Sequence, residues 1–291
     1  MKQRAPFRYW GSKVRMAPWI VDRLPAHDHF IEGCAGSAAV MAVKEPVAME
    51  TINDVYGEVL NFWRVLRDHE KAEQLIDRVA FTPYHHDEFI RAGEMLRGTP
   101  TDGPSVERAW AFFVRMQMAV VPGRTGWSYS VSGPSGKKAN KPGRWSTMPE
   151  LLQLTCQRFN RVQITNYDIV ELVQRFDKPG VLHFVDMPYL DESRASSTGT
   201  SSPYVHDEFP HEAFLEAMLA AKHASFAITH YIHPFYNEAA PWTAIHDYES
   251  HRNVPNGAGR DVAVERLYIL DRTETPKPAA DWGVDPLFPD L

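Results

Sequence analysis

The residues best suited to chemistry lie in one short run, Val181 to Leu190, V-L-H-F-V-D-M-P-Y-L. Asp186, Pro188 and Tyr189 form the pattern of an acid, a turn and an aromatic. A carboxylate and a neighbouring backbone carbonyl can both accept hydrogen bonds from an amino group, and the aromatic can stack on the ring that carries it. The same letters also suit a strand that ends in an Asp-Pro-type turn with a packed tyrosine. Val181–Val185 is apolar and preceded by Pro179-Gly180, so it reads as a buried strand with Asp186 at its carboxyl end. In open α/β sheets that is the end where ligands bind.

Three more strand-to-turn junctions deliver polar residues. H-F-I-E-G-C-A-G (His29 to Gly36) reads as a strand entering a glycine turn. Glu32, at its end, is suited to an ammonium group, and the small residues Gly33, Cys34, Ala35 and Gly36 permit close backbone approach to a ligand. A second strand over Val47 to Ile52 ends in Asn53-Asp54. An acid about 20 residues after such a turn can hold ribose hydroxyls. A strand over Val162 to Thr165 leads to Asn166-Tyr167-Asp168.

Upstream, F-R-Y-W-G-S-K (Phe7 to Lys13) offers a stacking face, a turn and one ammonium, without the glycine spacing of a P-loop. Helical periodicity is expected over Met16–Leu24, Ser37–Val43, Val55–Arg67, Glu70–Val79, Tyr84–Leu96, Ser105–Met118, Ile169–Phe176 and His211–Lys222. Further strands are expected over Ser225–Thr229 and Val262–Leu270, with Arg252–Arg260 as a loop. Between Glu70 and Arg158 the strand–helix alternation stops, which predicts an inserted, mainly helical unit.

The 291 residues are 44% hydrophobic and 23% charged, ordinary for a globular protein, and no run suits a membrane helix. Two cysteines without a C-x-x-C pattern and no apolar leader predict a cytoplasmic protein. The histidine pairs lack partners at metal-binding spacing, so no metal is expected. The net charge is −6, yet Arg115, Arg124, Lys137, Lys138, Lys141 and Arg144 fall in a stretch with no acid. Trp127, Tyr129 and Trp145 are interleaved with them. That mixture suits contact with nucleic-acid backbone and bases, and equally a solvated basic loop.

Taken in order, these pieces resemble the Dam-type DNA adenine methyltransferases of phages and bacteria. P-F-R-Y-W-G-S-K looks like the family's K-W-x-G-G-K element and I-E-G-C-A-G-S like its E-P-F-x-G-x-G turn. I-N-D-V-Y-G-E is similar to its acidic second-strand motif, D-M-P-Y to its D-P-P-Y, and V-E-R-L-Y-I-L to its R-x-E-x-L-W strand. The resemblance implies an α/β fold with a Rossmann-like class I methyltransferase sheet and an inserted target-recognition domain. Residues 1–68 and 159–272 would form the catalytic part, 69–158 the insert and 273–291 a Pro-rich tail. It implies S-adenosylmethionine as cofactor, double-stranded DNA as partner, and the cytoplasm of a bacterial host as location. Tyr9, Trp10, Lys13, Glu32, Gly33, Cys34, Ala35, Gly36, Asp54, Asp168 and Asp186 would line the cofactor site. Asp186 and the Pro188 region would hold the target amino group, with Tyr189 on the ring.

Two departures stand at the reacting end. Met187 replaces the first Pro of D-P-P-Y, and Gly33-Cys34 replaces Pro-Phe. They keep three alternatives open: a degenerate relative that binds without catalysis, a transferase for another base amino group, and use of a modified sulfonium cofactor.

Overall fold

The computed structural model describes residues 4–100, 102–130, 140–190, 209–253 and 260–273. Seven strands form one sheet in the order β3-β2-β1-β4-β5-β7-β6. They are β1 (His29–Glu32), β2 (Met49–Asn53), β3 (Gln163–Thr165), β4 (Val181–Val185), β5 (Ser225–Tyr231), β6 (Ala244–Asn253) and β7 (Arg260–Leu270). The first five pair in parallel; β7 runs antiparallel between β5 and β6. β1 and β4 are buried along their whole length, as expected of central parallel strands covered on both faces. The chain leaves β1 toward β2 and β3, then returns to place β4 on β1's other side. The crevice at this reversal lies at the strands' carboxyl ends.

The helices are α1 (Ala17–Val21), α2 (Ala39–Val43), α3 (Gly57–Arg67), α4 (His69–Phe81), α5 (His86–Arg97), α6 (Val106–Met118), α7 (Lys141–Trp145), α8 (Met148–Phe159), α9 (Ile169–Arg175), α10 (His211–Ala220) and α11 (Pro234–Asn237). Six of them, α3 to α8, lie between β2 and β3. Asp68 and Ser105 cap α4 and α6 by accepting backbone N–H bonds three residues on. One apolar cluster runs from Phe30 and Ile52 of the sheet through Phe62 and Trp63 of α3 to Trp110 and Phe113 of α6 and Leu152 of α8. The helices between β2 and β3 therefore share a core with one face of the sheet. A second cluster, on the other face, joins Ile31, Val185, Phe214, Phe226 and Tyr268.

Four elements differ from the sequence expectation, the short helices α7 and α11 and the longer α8 and β6. α8 is not expected, because Pro149 and the Gly/Pro-rich approach to it read as loop; the proline sits in the first turn, where its missing N–H costs nothing. β6 is not expected either. Its sequence, A-I-H-D-Y-E-S-H-R-N, is polar because it forms the sheet's edge, and it pairs with only one neighbour. The expected loop 252–260 is thus partly strand at both ends. The loop expected over Asp191–Tyr204, the tail from 274 onward, and Lys137 and Lys138 lie outside the described residues.

A buried ion pair ties α6 to α3. Arg108 donates through Nε to Glu58 Oε1 at 3.0 Å and also pairs with it through Nη2. Its Nη1 reaches the carbonyls of Met95 (3.1 Å) and Gly98 (3.2 Å) at the end of α5. Removing one partner of a buried pair leaves the other uncompensated. Arg108→Leu is expected to destabilise the protein by about 3–5 kcal/mol, read as a shift in the urea midpoint.

Candidate active site

The carboxyl ends of β1, β2, β3 and β4 open into one cleft of about 280 Å³. Its wall includes Tyr9, Trp10, Lys13, Glu32, Gly33, Cys34, Ala35, Asp54, Asp168, Asp186 and Pro188, eleven of the residues singled out from the sequence. Gly36 and Tyr189 adjoin wall residues without lining the cleft themselves. Ser12, Ser37, Asn53, Val55, Tyr56, Ile169, Phe209 and Pro210 are also part of the wall.

Local packing explains why the turn after β1 needs small residues. A Cβ on Gly33 would meet the side chains of Ile169, Leu172 and Val185 at 3.3–3.4 Å. Gly36 has φ +48°, and a Cβ there would lie 2.6 Å from the Tyr9 ring, so only glycine fits. Gly36 N–H donates to Asp54 Oδ2 at 2.8 Å, and the Trp63 indole donates to the Gly36 carbonyl at 2.9 Å. The strap carrying Tyr9 to Lys13 closes over this turn, with the Ser12 and Ser37 hydroxyls 2.9 Å apart.

Three of the four acids are held by backbone amides. Glu32 accepts from Met41 N–H at 2.9 Å and Val40 N–H at 3.4 Å at the start of α2, rather than pointing freely into the cleft. Burial pushes its carboxyl up to about 8. The two amides pull the other way, and the nearby Asp186 charge adds to the rise. Asp54 Oδ1 accepts from Tyr56 N–H at 2.9 Å. Asp168 caps α9, with Oδ1 taking the amides of Val170 (3.0 Å) and Glu171 (2.9 Å).

Asp186, at the end of β4, is oriented by two donors on the same oxygen. Lys13 Nζ lies 2.7 Å from Oδ1, and the Thr229 hydroxyl donates to Oδ1 at 2.8 Å. Burial raises the carboxyl's proton affinity, and the Lys13 charge opposes that rise. Lys13 also sits 3.5 Å from Glu265 Oε2 and 5.0 Å from the Tyr189 ring centroid. Tyr189 donates its hydroxyl to Glu265 Oε2 at 3.0 Å, and its ring packs against His230 and Tyr231 with centroids 4.7 Å away. Leu190 N–H donates to His230 Nε2 at 3.1 Å, which fixes the chain just after Tyr189. Sequence reasoning missed the parts of Thr229 and Glu265 in this network. Their only signals were the polar T-H-Y ending of an apolar strand and the lone acid in V-E-R-L-Y.

Met187 is buried, and the Tyr236 hydroxyl lies 2.9 Å from its sulfur. His211 Nδ1 meets the same hydroxyl at 2.5 Å. The residue in the position of the first Pro is thus held by side-chain packing instead of a ring. Cys34 lies on the cleft wall, and burial pushes its thiol well above the ordinary range, so it stays a thiol at neutral pH.

The basic residues divide. Arg115 is turned inward: its guanidinium lies 3.9 Å from the Phe89 ring centroid and donates to the Arg124 carbonyl at 2.7 Å. It is half-buried and packs α6 against Phe89 of α5. Arg124 lies 5.6 Å from the Trp10 ring centroid, which ties the segment after α6 to the cleft's edge. Lys141 and Arg144 sit in a separate small cleft together with Arg4 and Arg8. Among the described residues there is no group of three metal-ligating side chains, and no helix is long and apolar enough to cross a membrane.

A mixed seven-stranded sheet in this order, with an acid-lined crevice at its reversal point, defines a class I methyltransferase fold. The model of the D12 class N6 adenine-specific DNA methyltransferases matches residues 9–250, and the chain belongs to that family. It is an adenine-specific DNA methyltransferase, with S-adenosylmethionine as methyl donor. No curated protein matches it significantly. Among solved structures, precorrin 8W decarboxylase of Methanobacterium thermoautotrophicum is 8% identical, with 93% of this chain and 100% of that chain covered and a TM-score of 0.38. A protein of Pyrococcus horikoshii assigned as an RNA methyltransferase is 8% identical over 92% and 87%, with a TM-score of 0.38. A protein of Escherichia coli assigned as a methyltransferase is 11% identical over 89% and 84%, with a TM-score of 0.31.

The cleft suits the donor chemically. Asp54 and Asp168 add carboxyl groups to a wall whose single lysine is already paired with Asp186, so the wall favours a ligand bearing positive charge. The Glu32 carboxyl yields a test on the free protein. Between about pH 4.5 and pH 8 the folded state keeps a proton that the unfolded chain has released, so this group's stabilisation falls as pH rises through that window. Glu32→Gln is expected to flatten the decline of unfolding free energy from about pH 5 to pH 8 in urea titrations. An unchanged slope would mean that the carboxyl is already ionised in the folded protein.

Proposed function

We propose that the enzyme methylates the N6 amino group of an adenine that has left the duplex and entered the cleft beside Asp186, by direct attack without a covalent enzyme intermediate. The observation that carries this reading is the geometry of Asp186. Both its lysine and its threonine donors meet Oδ1, so Oδ2 is available to an amino group. Chemistry on a stacked base demands extrusion, because its amino group is otherwise held inside the duplex.

Bound S-adenosylmethionine supplies a methyl group made electrophilic by the sulfonium. The protein's share is positioning. Asp54 is assigned to the ribose hydroxyls, Asp168 to the adenine end and Glu32 to the methionine ammonium. Gly33 to Gly36, Tyr9 and Trp10 shape the wall. Adenine's amino lone pair is delocalised into its ring. Hydrogen bonds accepted by Asp186 and by a carbonyl in the Met187–Pro188 region favour a pyramidal nitrogen with a localised pair. Lys13 and Thr229 hold the carboxylate in place, so no reorganisation is needed as charge develops. The nitrogen must then shed a proton, and a carboxyl whose burial raises its proton affinity is fitted to receive it. Tyr189 is assigned to stacking on the extruded base. Residues 1–68 and 159–272 are assigned to methyl transfer and 69–158 to recognition of DNA.

Digestion of treated duplex DNA to nucleosides, followed by mass spectrometry, tests the reading. The expected product is N6-methyladenine; a modified cytosine or a heavier added group would replace it. Asp186→Ala is expected to lower turnover by about 100- to 1000-fold in a folded protein, by analogy with loss of an oxyanion-hole donor. Tyr189→Ala should also weaken capture of the base, by about 1–3 kcal/mol of stacking. Equal methylation by Asp186→Ala and wild type would remove Asp186 from the reaction. Met187→Pro, which restores the family motif, should keep activity if Tyr236 already does the work of the ring. Separately, Asp54→Ala is expected to weaken cofactor binding in calorimetry by about 1.5–3 kcal/mol. Unchanged affinity would take Asp54 out of the site.

A further inference from the structure

Behind the strap that carries Tyr9 to Lys13 lies a second cleft, lined by Arg4, Arg8, Lys141 and Arg144. Two come from the N-terminal segment and two from α7, residues far apart in sequence. Its floor is apolar, with Phe7, Trp145 and Met148 among the lining. Trp145 is pinned by an indole bond to the Thr82 carbonyl at 2.7 Å. Arg8 is held by the carbonyls of Ala119 (2.8 Å) and Val120 (3.0 Å) just past the end of α6. The cleft is therefore built on fixed elements.

No carboxylate among the described residues pairs with any of these four cations. Arg4 Nε is buried and has no hydrogen-bond partner among the described residues. Burial first, and then the Arg144 charge, lower the proton affinity of Arg4 and Arg8; Lys141 is lowered by burial and by Arg8 and Arg144. Like charges gathered over an apolar floor repel one another and cost folding energy. A single anion with several acceptor oxygens would remove that cost and fill the unused donors.

The position indicates which anion. Arg8 and Val14 of this cleft bracket the strap, while Tyr9, Trp10, Ser12 and Lys13 of the same strap line the methyl-transfer cleft. This N-terminal segment thus contributes residues to both clefts. We propose that the cationic cleft is a phosphodiester site, which grips one backbone phosphate of the DNA substrate close to the nucleotide delivered to Asp186. This rests on DNA being the substrate. It adds Arg4 and Arg8, outside the basic stretch of the sequence, to the DNA-contacting surface, and makes Lys141 and Arg144 parts of one defined site.

The experiment compares wild type, the double variant Arg4→Gln/Arg144→Gln and the charge-preserving Arg4→Lys/Arg144→Lys. Duplex DNA binding is measured across a salt series by anisotropy, with thermal melting of the free protein and calorimetry of S-adenosylmethionine alongside. The glutamine variant is expected to bind DNA about tenfold more weakly at low salt. Its log–log salt slope should flatten by roughly 0.9, the amount due to one phosphate no longer neutralised. The lysine variant should keep most of the slope. Cofactor affinity should not change, and melting of the glutamine variant should hold steady or rise, because repulsion has been relieved. A fall in melting temperature shared by both variants would mark the residues as packing elements and overturn the proposal. Wild-type slope and affinity in a folded glutamine variant would overturn it as well. Inorganic phosphate that stabilises wild type but not the glutamine variant, with DNA binding unaltered, would assign the cleft to a free anion instead. Failure of wild type to bind any duplex would count against the DNA reading itself, a result distinct from all of these.

Discussion

The site depends on the amide of Asn53. This buried side chain, at the end of β2, donates to the carbonyls of Gly33 and Tyr167, both at 3.0 Å. Its oxygen accepts from the Thr165 hydroxyl and from Tyr167 N–H, both at 2.9 Å. Every donor and acceptor of the amide is used, which is what a buried polar group requires. The effect is geometric. The turn after β1, the end of β2 and the loop after β3 are clamped in one register, so Glu32, Asp54 and Asp168 rise from a common platform. Parallel pairing alone aligns strands but leaves the loops beyond them free. Asn53 extends the sheet's order by a few residues into those loops, and the cleft begins there.

Around that platform the charges are sorted rather than mixed. The chain is acidic overall, yet its acids at the strand ends and the cations gathered behind the strap line different clefts. Lys13 is the exception, a cation inside the acid cleft, and its neutralisation by Asp186 explains why it can be almost wholly buried there. A net charge hides such segregation, which is why it says little about whether a chain meets nucleic acid.

Much of this was legible in the sequence because function follows the strand ends. Glu32, Asp54, Asp168 and Asp186 each close an apolar run, and the rule that ligands gather there brings them to one place. What stayed hidden was anything set by contacts between distant segments. Thr229 and Glu265 look like ordinary strand residues until β5 and β7 lie beside β4. Arg115 reads as part of a basic stretch, yet the helix turns it onto Phe89. Arg4 and Arg8 belong to no basic run and join Lys141 and Arg144 only through the fold. β6 escaped notice because an edge strand keeps a polar sequence, and α8 because its leading Pro reads as a stop when it is in fact a start.

The closure of Lys13 onto Glu265 and Asp186 joins the strap before α1 to β7. On the ribosome the strap emerges before its partners, and Glu265 follows Lys13 by 252 residues. Until β7 has inserted beside β5, the strap has neither Glu265 nor a completed sheet to rest on, and contacts of such long sequence separation form late. The lysine that seats Asp186 is thus made long before it can settle. A growing or truncated polypeptide could gather the acid platform of β1 to β3 and still lack the arrangement that steers Asp186, so competence at this site arrives as one of the final steps of maturation.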